Sequence, residues 1–388
     1  MTSRNSNLLA QLDDVISLVS VSSANPALDT SNKPVIDYLA EQFEALGFSC
    51  EVIPNKENEE KVNLIATYGS GPGGLVLSGH TDTVPLDDKL WSVDPFRLTE
   101  RDGKFYGLGV TDMKSFFPIV IEAIKPLLEE VFKEPLIVLA TADEETSMQG
   151  ARTIAELGRP RGRAAVIGEP TGLQPVKAHK GIMMDRIQLL GESGHSSDPS
   201  LGKNALDAMH LVISELMTFR AEIREKYQSD LFTIPYPTLN LGSIHGGDNP
   251  NRICGHCDLE FDIRLMPGMH IDSVREEIRQ RIDTITTPLK IQFELAPIFT
   301  GVPAFFANEN SQLLKLAETL TGHSGISVAF GTEGPFLQEL GMDTIILGPG
   351  NIDQAHQPDE YMSMDMIEPC IDVLRKLVRE NCLSSTSL

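Results

Sequence analysis

Apolar and polar positions follow two rhythms along this chain. Residues 7–19 carry Leu8, Leu9, Leu12, Val15, Ile16 and Val19, a spacing that predicts an amphipathic helix. Residues 32–46 repeat it with Val35, Leu39, Phe43 and Leu46. Strands are expected over 48–53 and 62–68, and a short hairpin within the loop-like stretch 91–106. Apolar runs at 75–77, 136–140 and 164–167 predict buried strands, the first extending to Ser78 and the second, wholly apolar, central in a parallel sheet covered on both faces. A helix is expected over 115–130. After residue 297 the pattern resumes, with a helix at 313–320, strands at 327–330 and 344–347, and a closing helix at 366–382.

The rhythm between these two parts differs. A strand beginning near Met184 is followed by a helical stripe of Leu206, Met209, Ile213, Leu216 and Met217, then by a strand at 239–244. Cys257, Leu259, Phe261, Ile263 and Leu265 alternate with Asp258, Glu260, Asp262 and Arg264, the mark of a half-buried antiparallel strand. A second helical stripe of Val274, Ile278 and Ile282 and a strand at 289–295 complete a β-α-β-β-α-β unit. The fold class expected is therefore α/β. Residues 1–182 and 298–388 form one domain with a mixed, mostly parallel sheet, and 183–297 form an inserted domain.

The chemistry sits where the strands stop. His80 follows the first apolar run, with Asp82 two residues on; a carboxylate there can orient a metal-bound imidazole. Asp112 precedes the 115–130 helix and is expected at its start, beside free main-chain N–H groups. Asp143, Glu144 and Glu145 follow the second run, Glu169 follows the third, and His356 lies beyond the last strand. In open α/β sheets ligands bind beyond the carboxyl ends of the strands. The three consecutive carboxylates at 143–145 repel one another unless a cation offsets them or one of them holds a proton. The set of imidazoles and carboxylates suits zinc or another first-row divalent ion. It is too large for one tetrahedral ion and about right for two ions sharing a carboxylate, with one acid left over as a base.

Bulk properties narrow the partners. The 388 residues are 41% hydrophobic and 22% charged, ordinary for a globular protein, and the formal net charge is −23. That balance argues against nucleic acid and anionic membranes, which require a basic patch. No signal peptide is expected, and no apolar run approaches the ~20 residues of a membrane span. Cys254-Gly255-His256-Cys257 has the spacing of a metal half-site, but no second pair completes it. A reducing cytoplasm is the expected location, and only the tail, 383–388, is expected to be disordered.

Gly79-His80-Thr81-Asp82-Thr83-Val84, Asp112-Met113-Lys114, Asp143-Glu144-Glu145 and Gly168-Glu169-Pro170-Thr171 together resemble the co-catalytic zinc aminoacylase and carboxypeptidase family. The resemblance runs through nearly the whole chain. Gly331-Thr332-Glu333-Gly334-Pro335-Phe336, Leu347-Gly348-Pro349-Gly350 and Gln354-Ala355-His356-Gln357-Pro358-Asp359-Glu360-Tyr361 narrow it to members that deacetylate an amino-acid substrate.

The resemblance implies a zinc-exopeptidase-like catalytic domain and a ferredoxin-like dimerisation insert that acts as a lid. It implies that Asp112 bridges two ions, with His80 and Glu169 on one and Glu145 and His356 on the other. Glu144 would be the general base and Asp82 would orient His80. It further implies a homodimer in which His195, within Gly194-His195-Ser196, reaches the partner's active site, and a substrate role for Asn251. Two departures stand out: Ser115 replaces a common glycine, and Cys254 replaces proline in Asn-x-Ile-Pro.

Arg264 is the candidate for the substrate's α-carboxylate, because a guanidinium binds a carboxylate with two bonds. Thr332 and Gly331 are candidates to approach the substrate backbone. The expected activity is metal-dependent hydrolysis of a small N-acyl amino acid, with zinc the default ion and cobalt suited to the same ligands. The alternatives are a desuccinylase, a dipeptidase or, outside enzymes, a metal-binding scaffold.

Overall fold

The computed structural model describes residues 3–383. The tail expected to be disordered lies outside them from residue 384 onward. In chain order the elements begin with α1 (Ser3–Ser17), α2 (Lys33–Ala45), β1 (Ser49–Pro54), β2 (Val62–Tyr68) and β3 (Leu75–His80). Next come the hairpin β4 (Thr99–Arg101) and β5 (Lys104–Tyr106), then α3 (Phe116–Ile124), β6 (Leu136–Thr141), α4 (Gln149–Leu157), β7 (Ala164–Ile167) and β8 (Val176–His179). The middle of the chain forms β9 (Gly181–Leu190), α5 (Ala205–Lys226), β10 (Thr238–Gly246), β11 (His256–Leu265), α6 (Ile271–Leu289), β12 (Gln292–Pro297) and β13 (Phe305–Phe306). The chain closes with α7 (Gln312–Thr321), β14 (Ile326–Val328), α8 (Gly334–Glu339), β15 (Asp343–Ile346), β16 (Tyr361–Ser363) and α9 (Ile367–Cys382).

Two compact units result. The first holds the residues up to Lys177, Ala307–Ile326 and those from Thr332 onward; the second holds Ala178–Phe306 with Ser327–Gly331. The sheet of the first unit runs β1-β2-β6-β3-β7-β15. Its centre is parallel, since β6, β3, β7 and β15 all run the same way, while β1 and β2 pair antiparallel at the flank. Every residue of β3, β6 and β7 is buried, as a parallel sheet covered by helices requires. One consequence is functional: the carboxyl ends of all four central strands open on one edge.

Helix α3 is wholly buried and packs Phe116 and Phe117 into this core. Burying such a ring contributes about 1.5–3 kcal/mol. Gly168 exists because of that packing: a Cβ there would stand 2.3 Å from the Phe116 ring. The helix is shorter than its sequence pattern suggests. It ends at Ile124, and Pro126 sits in the 3₁₀ turn Lys125–Leu127 that follows. Its N-cap is Ser115, so Asp112 lies three residues before that cap instead of opening the helix. The strand expected over 327–330 occupies Ile326–Val328.

The second unit has a four-stranded antiparallel sheet in the order β10-β11-β9-β12, with α5 and α6 as its helices. That order, with the first strand between the third and the fourth, is the ferredoxin-like arrangement. Along β11 the alternate residues Cys257, Leu259, Phe261, Ile263 and Leu265 are buried in the core with Met209, Phe219 and Ile278. All five cysteines are free, and Cys254 donates to the His256 carbonyl at 3.1 Å. No helix among the described residues is long and apolar enough to cross a membrane.

Candidate metal centre

His80 is the last residue of β3, paired with Thr141 at the end of β6. Its Nδ1 lies 3.0 Å from the main-chain carbonyl of Asp82, which fixes that nitrogen as the donor and turns Nε2 outward. The orienting contact expected of the Asp82 side chain is thus made by its backbone; the carboxylate is 3.7 Å away. That carboxylate instead accepts the main-chain N–H groups of Glu144, at 3.3 Å, and Glu145, at 3.1 Å. It anchors the acidic turn beyond β6.

Asp112 divides its two oxygens. Oδ1 is 3.0 Å from His80 Nε2, and Oδ2 is 3.5 Å from His356 Nε2. His356 Nε2 also lies 2.9 Å from Glu145 Oε2, and Glu169 Oε2 stands 3.9 Å from His80 Nε2. Ligand atoms of His80, Asp112 and Glu145 all fall within 4.8 Å of one another. Five side chains from five separate segments of the first unit therefore come together, with the Asp112 carboxylate between the two imidazoles.

Asp143, the first of the three consecutive acids, is held otherwise. Buried Lys61 reaches it at 3.0 Å and Asp29 at 2.7 Å, and Ser22 donates to it at 2.8 Å. Only Glu144 and Glu145 are left to face the site.

The electrostatics show a surplus of negative charge. Burial, reinforced by the charge of Glu169, pushes the Glu144 carboxyl well above its ordinary range, and burial does the same to Glu169. Burial also carries Asp82 up to about 7. Burial would lower the His80 imidazole, but Asp112, Glu169 and Asp82 override it and hold the ring well above its usual value. His356, bonded to Asp112 and Glu145, is raised to about 10. The surrounding carboxylates thus bias both imidazoles toward the charged form. Among the described residues, buried Glu169 Oε1 has no hydrogen-bond partner, a costly omission unless a cation meets it. Imidazole and carboxylate donors, a shared carboxylate and an orphaned oxygen together fit divalent ions.

The remaining candidates stand on other segments. His195 and Asn251 stand on paired segments of the second unit: Ser196 N–H donates to the Asn251 carbonyl at 3.1 Å, and Ile253 N–H to the Gly194 carbonyl at 2.8 Å. The exposed His195 ring accepts from the Ser197 hydroxyl at 2.7 Å. Arg264, on β11 of the same unit, bonds Asp262 at 3.1 Å. Gly331 belongs to the second unit, and Thr332 is buried in the first, accepting the Gly334 N–H at 3.1 Å.

Sequence reasoning passed over Lys61, Lys114 and Glu360 as site residues. No local pattern marks a buried lysine paired across distant segments. The only available signal was that Lys114 and Glu360 fall inside motifs singled out for their neighbours.

Comparison with known proteins gives a consistent result. Residues 76–380 match the model of peptidase family M20/M25/M40. The chain is 45% identical over 376 residues to the acetylornithine deacetylase of Pasteurella multocida (strain Pm70), covering 97% of this chain and 98% of the relative. It is also 45% identical over 368 residues to the acetylornithine deacetylase of Klebsiella pneumoniae (strain 342), covering 95% and 96%. Among solved structures, an M20 family metallo-carboxypeptidase from Sulfolobus solfataricus superposes with a TM-score of 0.74 at 19% identity, over 98% of this chain and 99% of that one. At that identity the likeness concerns the fold alone.

Proposed function

The chain belongs to peptidase family M20/M25/M40, and from that premise we propose that it is a metal-dependent amide hydrolase. Its substrate is N2-acetyl-L-ornithine and its products are L-ornithine and acetate, a step of arginine biosynthesis in the cytoplasm. The supporting likeness is 45% identity along nearly the full length of two acetylornithine deacetylases. The observation that carries the reading is the division of the Asp112 carboxylate, one oxygen toward His80 and the other toward His356. A carboxylate so shared is the natural bridge between two cations. His80 and Glu169 would hold one ion, and Glu145 and His356 the other. Zinc is the default, and cobalt suits the same donors.

When bound, such ions supply Lewis acidity and make water a nucleophile near neutral pH. The chain's own residues do the rest. Glu144, whose carboxyl burial holds well above its ordinary range, takes the proton from the attacking water. The water oxygen bonds to the acetyl carbon, the C–N bond breaks, and Glu144 returns the proton to the leaving amine. The Asp82 carboxylate holds Glu144 and Glu145 in register through their main-chain N–H groups. The second unit serves as dimerisation domain and lid. The partner subunit's His195 donates a hydrogen bond to the developing oxyanion. Asn251, Arg264, Thr332 and Gly331 bind the substrate, Arg264 through its α-carboxylate.

The test is acetate release from N-acetylornithine by protein of counted metal content, with and without chelator, beside N-succinyl-diaminopimelate and dipeptides. Chelator-sensitive turnover with the highest kcat/KM for N-acetylornithine is expected. Preference for either other substrate class moves the enzyme within its family. Metal bound without any turnover leaves a scaffold.

A further inference from the structure

Two buried carboxylates beside the metal ligands bind main chain instead of facing the site. Asp82 is one. The other is Glu360, 2% exposed and four residues beyond His356. Its Oε1 accepts the N–H groups of Thr111 at 2.7 Å and Asp112 at 3.0 Å, and its Oε2 accepts that of Gly109 at 3.0 Å. The Glu360 carbonyl takes the Gly107 N–H at 3.2 Å, and the Tyr361 carbonyl takes the Thr111 hydroxyl at 2.6 Å. The segment carrying His356 is therefore stitched to the loop carrying Asp112, through a single side chain and its adjoining backbone.

A buried carboxylate needs hydrogen-bond partners, and three N–H donors supply them. Lys114 is also fully buried and donates to the Leu18 carbonyl at 2.9 Å. Burial lowers its ammonium to about 7, and the charges of Glu360 and Asp82 act against that fall. A residue that only filled space would account for the burial of Glu360 but not for its partners, which all lie at or just before Asp112.

We propose that Glu360 is a positioning residue for the metal pair: by binding the Gly109–Asp112 main chain it fixes the separation between Asp112 and His356, and its loss weakens metal binding more than it weakens the fold. This rests on the assignment of Asp112 and His356 as ligands. In Glu360→Gln an amide –NH₂ must face one of the N–H donors, so the loop shifts. Residues that orient ligands typically change metal affinity by about 10–100-fold when replaced.

The experiment titrates Zn²⁺ into chelator-treated full-length protein against a chromogenic competitor, and records the Tm of the metal-free form. Glu360→Gln is expected to bind zinc about 10–100-fold more weakly. Asp359→Ala is the control, because it loosens the same turn through Ser92, whose N–H and hydroxyl reach Asp359 at 2.7 and 2.6 Å, without touching the ligand loop. It should keep zinc affinity within about threefold of the native value. If Glu360→Gln does not fold, Glu360→Asp keeps the carboxyl group while withdrawing its oxygens from the loop, and the same loss is expected of it.

Native zinc affinity in a folded Glu360 variant overturns the proposal. So does an equal loss in Asp359→Ala, or a fall in the metal-free Tm with zinc affinity unchanged. A protein that fails to release acetate yet shows the zinc contrast loses the deacetylase reading and keeps this one. A protein that binds no zinc loses both.

Discussion

Two acidic surfaces of this protein look alike as sequence and behave oppositely as structure. In the first unit, Asp82, Asp112, Glu145, Glu169 and Glu360 follow apolar strands or close a loop, and each is buried or nearly so. Their partners are imidazoles and main-chain N–H groups. In the second unit, Asp258, Glu260 and Asp262 alternate along β11 on its half-exposed face. Their neighbours are ordinary surface groups: His256 and Gln188 beside Asp258, Arg264 beside Asp262, and Arg186 across the strand from Glu260. Solvent and one neighbouring cation suffice there. On the buried edge they do not, and the deficit of positive charge is the signature of a metal centre. Counting acids cannot separate the two surfaces; burial and the identity of the partners can.

The sharpest break in this comparison is Glu144→Ala. It should retain zinc and lose about 10²–10⁴ in kcat, about 3–5 kcal/mol of barrier. Turnover near the native rate would remove Glu144 as the base and leave the buried edge a binding site only. The second test concerns the acid that burial sets apart from its neighbours. Lys61→Met should lower stability by about 3 kcal/mol in urea unfolding, because Asp143 and Asp29 then lose a buried partner. Its kcat at saturating zinc should fall far less than that of Glu144→Ala. A large catalytic loss with native stability would place Asp143 among the working carboxylates.

These two experiments also mark how far the sequence could be read. His80, Asp112, Glu145, Glu169 and His356 were legible because apolar runs identify buried strands, and a polar residue ending a buried strand must be accounted for. The division of labour among the three consecutive acids was not legible, since it depends on Lys61, more than eighty residues earlier. Helix α3 came out too long because an apolar stripe continues past Pro126, which stops the helix whatever follows. Helix α4, with Gly150 and Ala151 on its buried side, lacks the large apolar stripe that would have announced it. Glu360 acts through main-chain donors, which no side-chain pattern records.

The third effect is a pH dependence. Without metal, Glu144, Glu169 and Asp82 have raised pKa values in the folded state, so the folded form binds more protons than the unfolded one above about pH 4. Stability then falls as pH rises through that window, to about 7 for Asp82. His80 and His356 are raised as well, so their contribution is complete below about 6.5 and is lost toward about 10 for His356. All five act in one direction. The Tm of chelated protein should decline steadily from pH 5.5 to 8.5, and zinc should flatten that slope, since ligands release protons to bind it. Parallel slopes with and without zinc would mean that these groups do not hold the ion.

The smallest effect tests the other side of the comparison. Glu260 is half-buried on β11 with Arg186 opposite it on β9, a cross-strand pair of the kind that contributes roughly 0.2–1 kcal/mol. Glu260→Ala should therefore change unfolding stability by about 0.5 kcal/mol and leave zinc affinity unaltered. The same substitution made among the buried acids removes a group whose charge is balanced by a cation, so stability and metal affinity must move together there. If Glu260→Ala shifted zinc affinity, the half-exposed face would share the electrostatics of the strand-end edge. The distinction drawn from burial would then fail at its weakest point, where a carboxylate has both a solvent-facing side and a cation across the sheet.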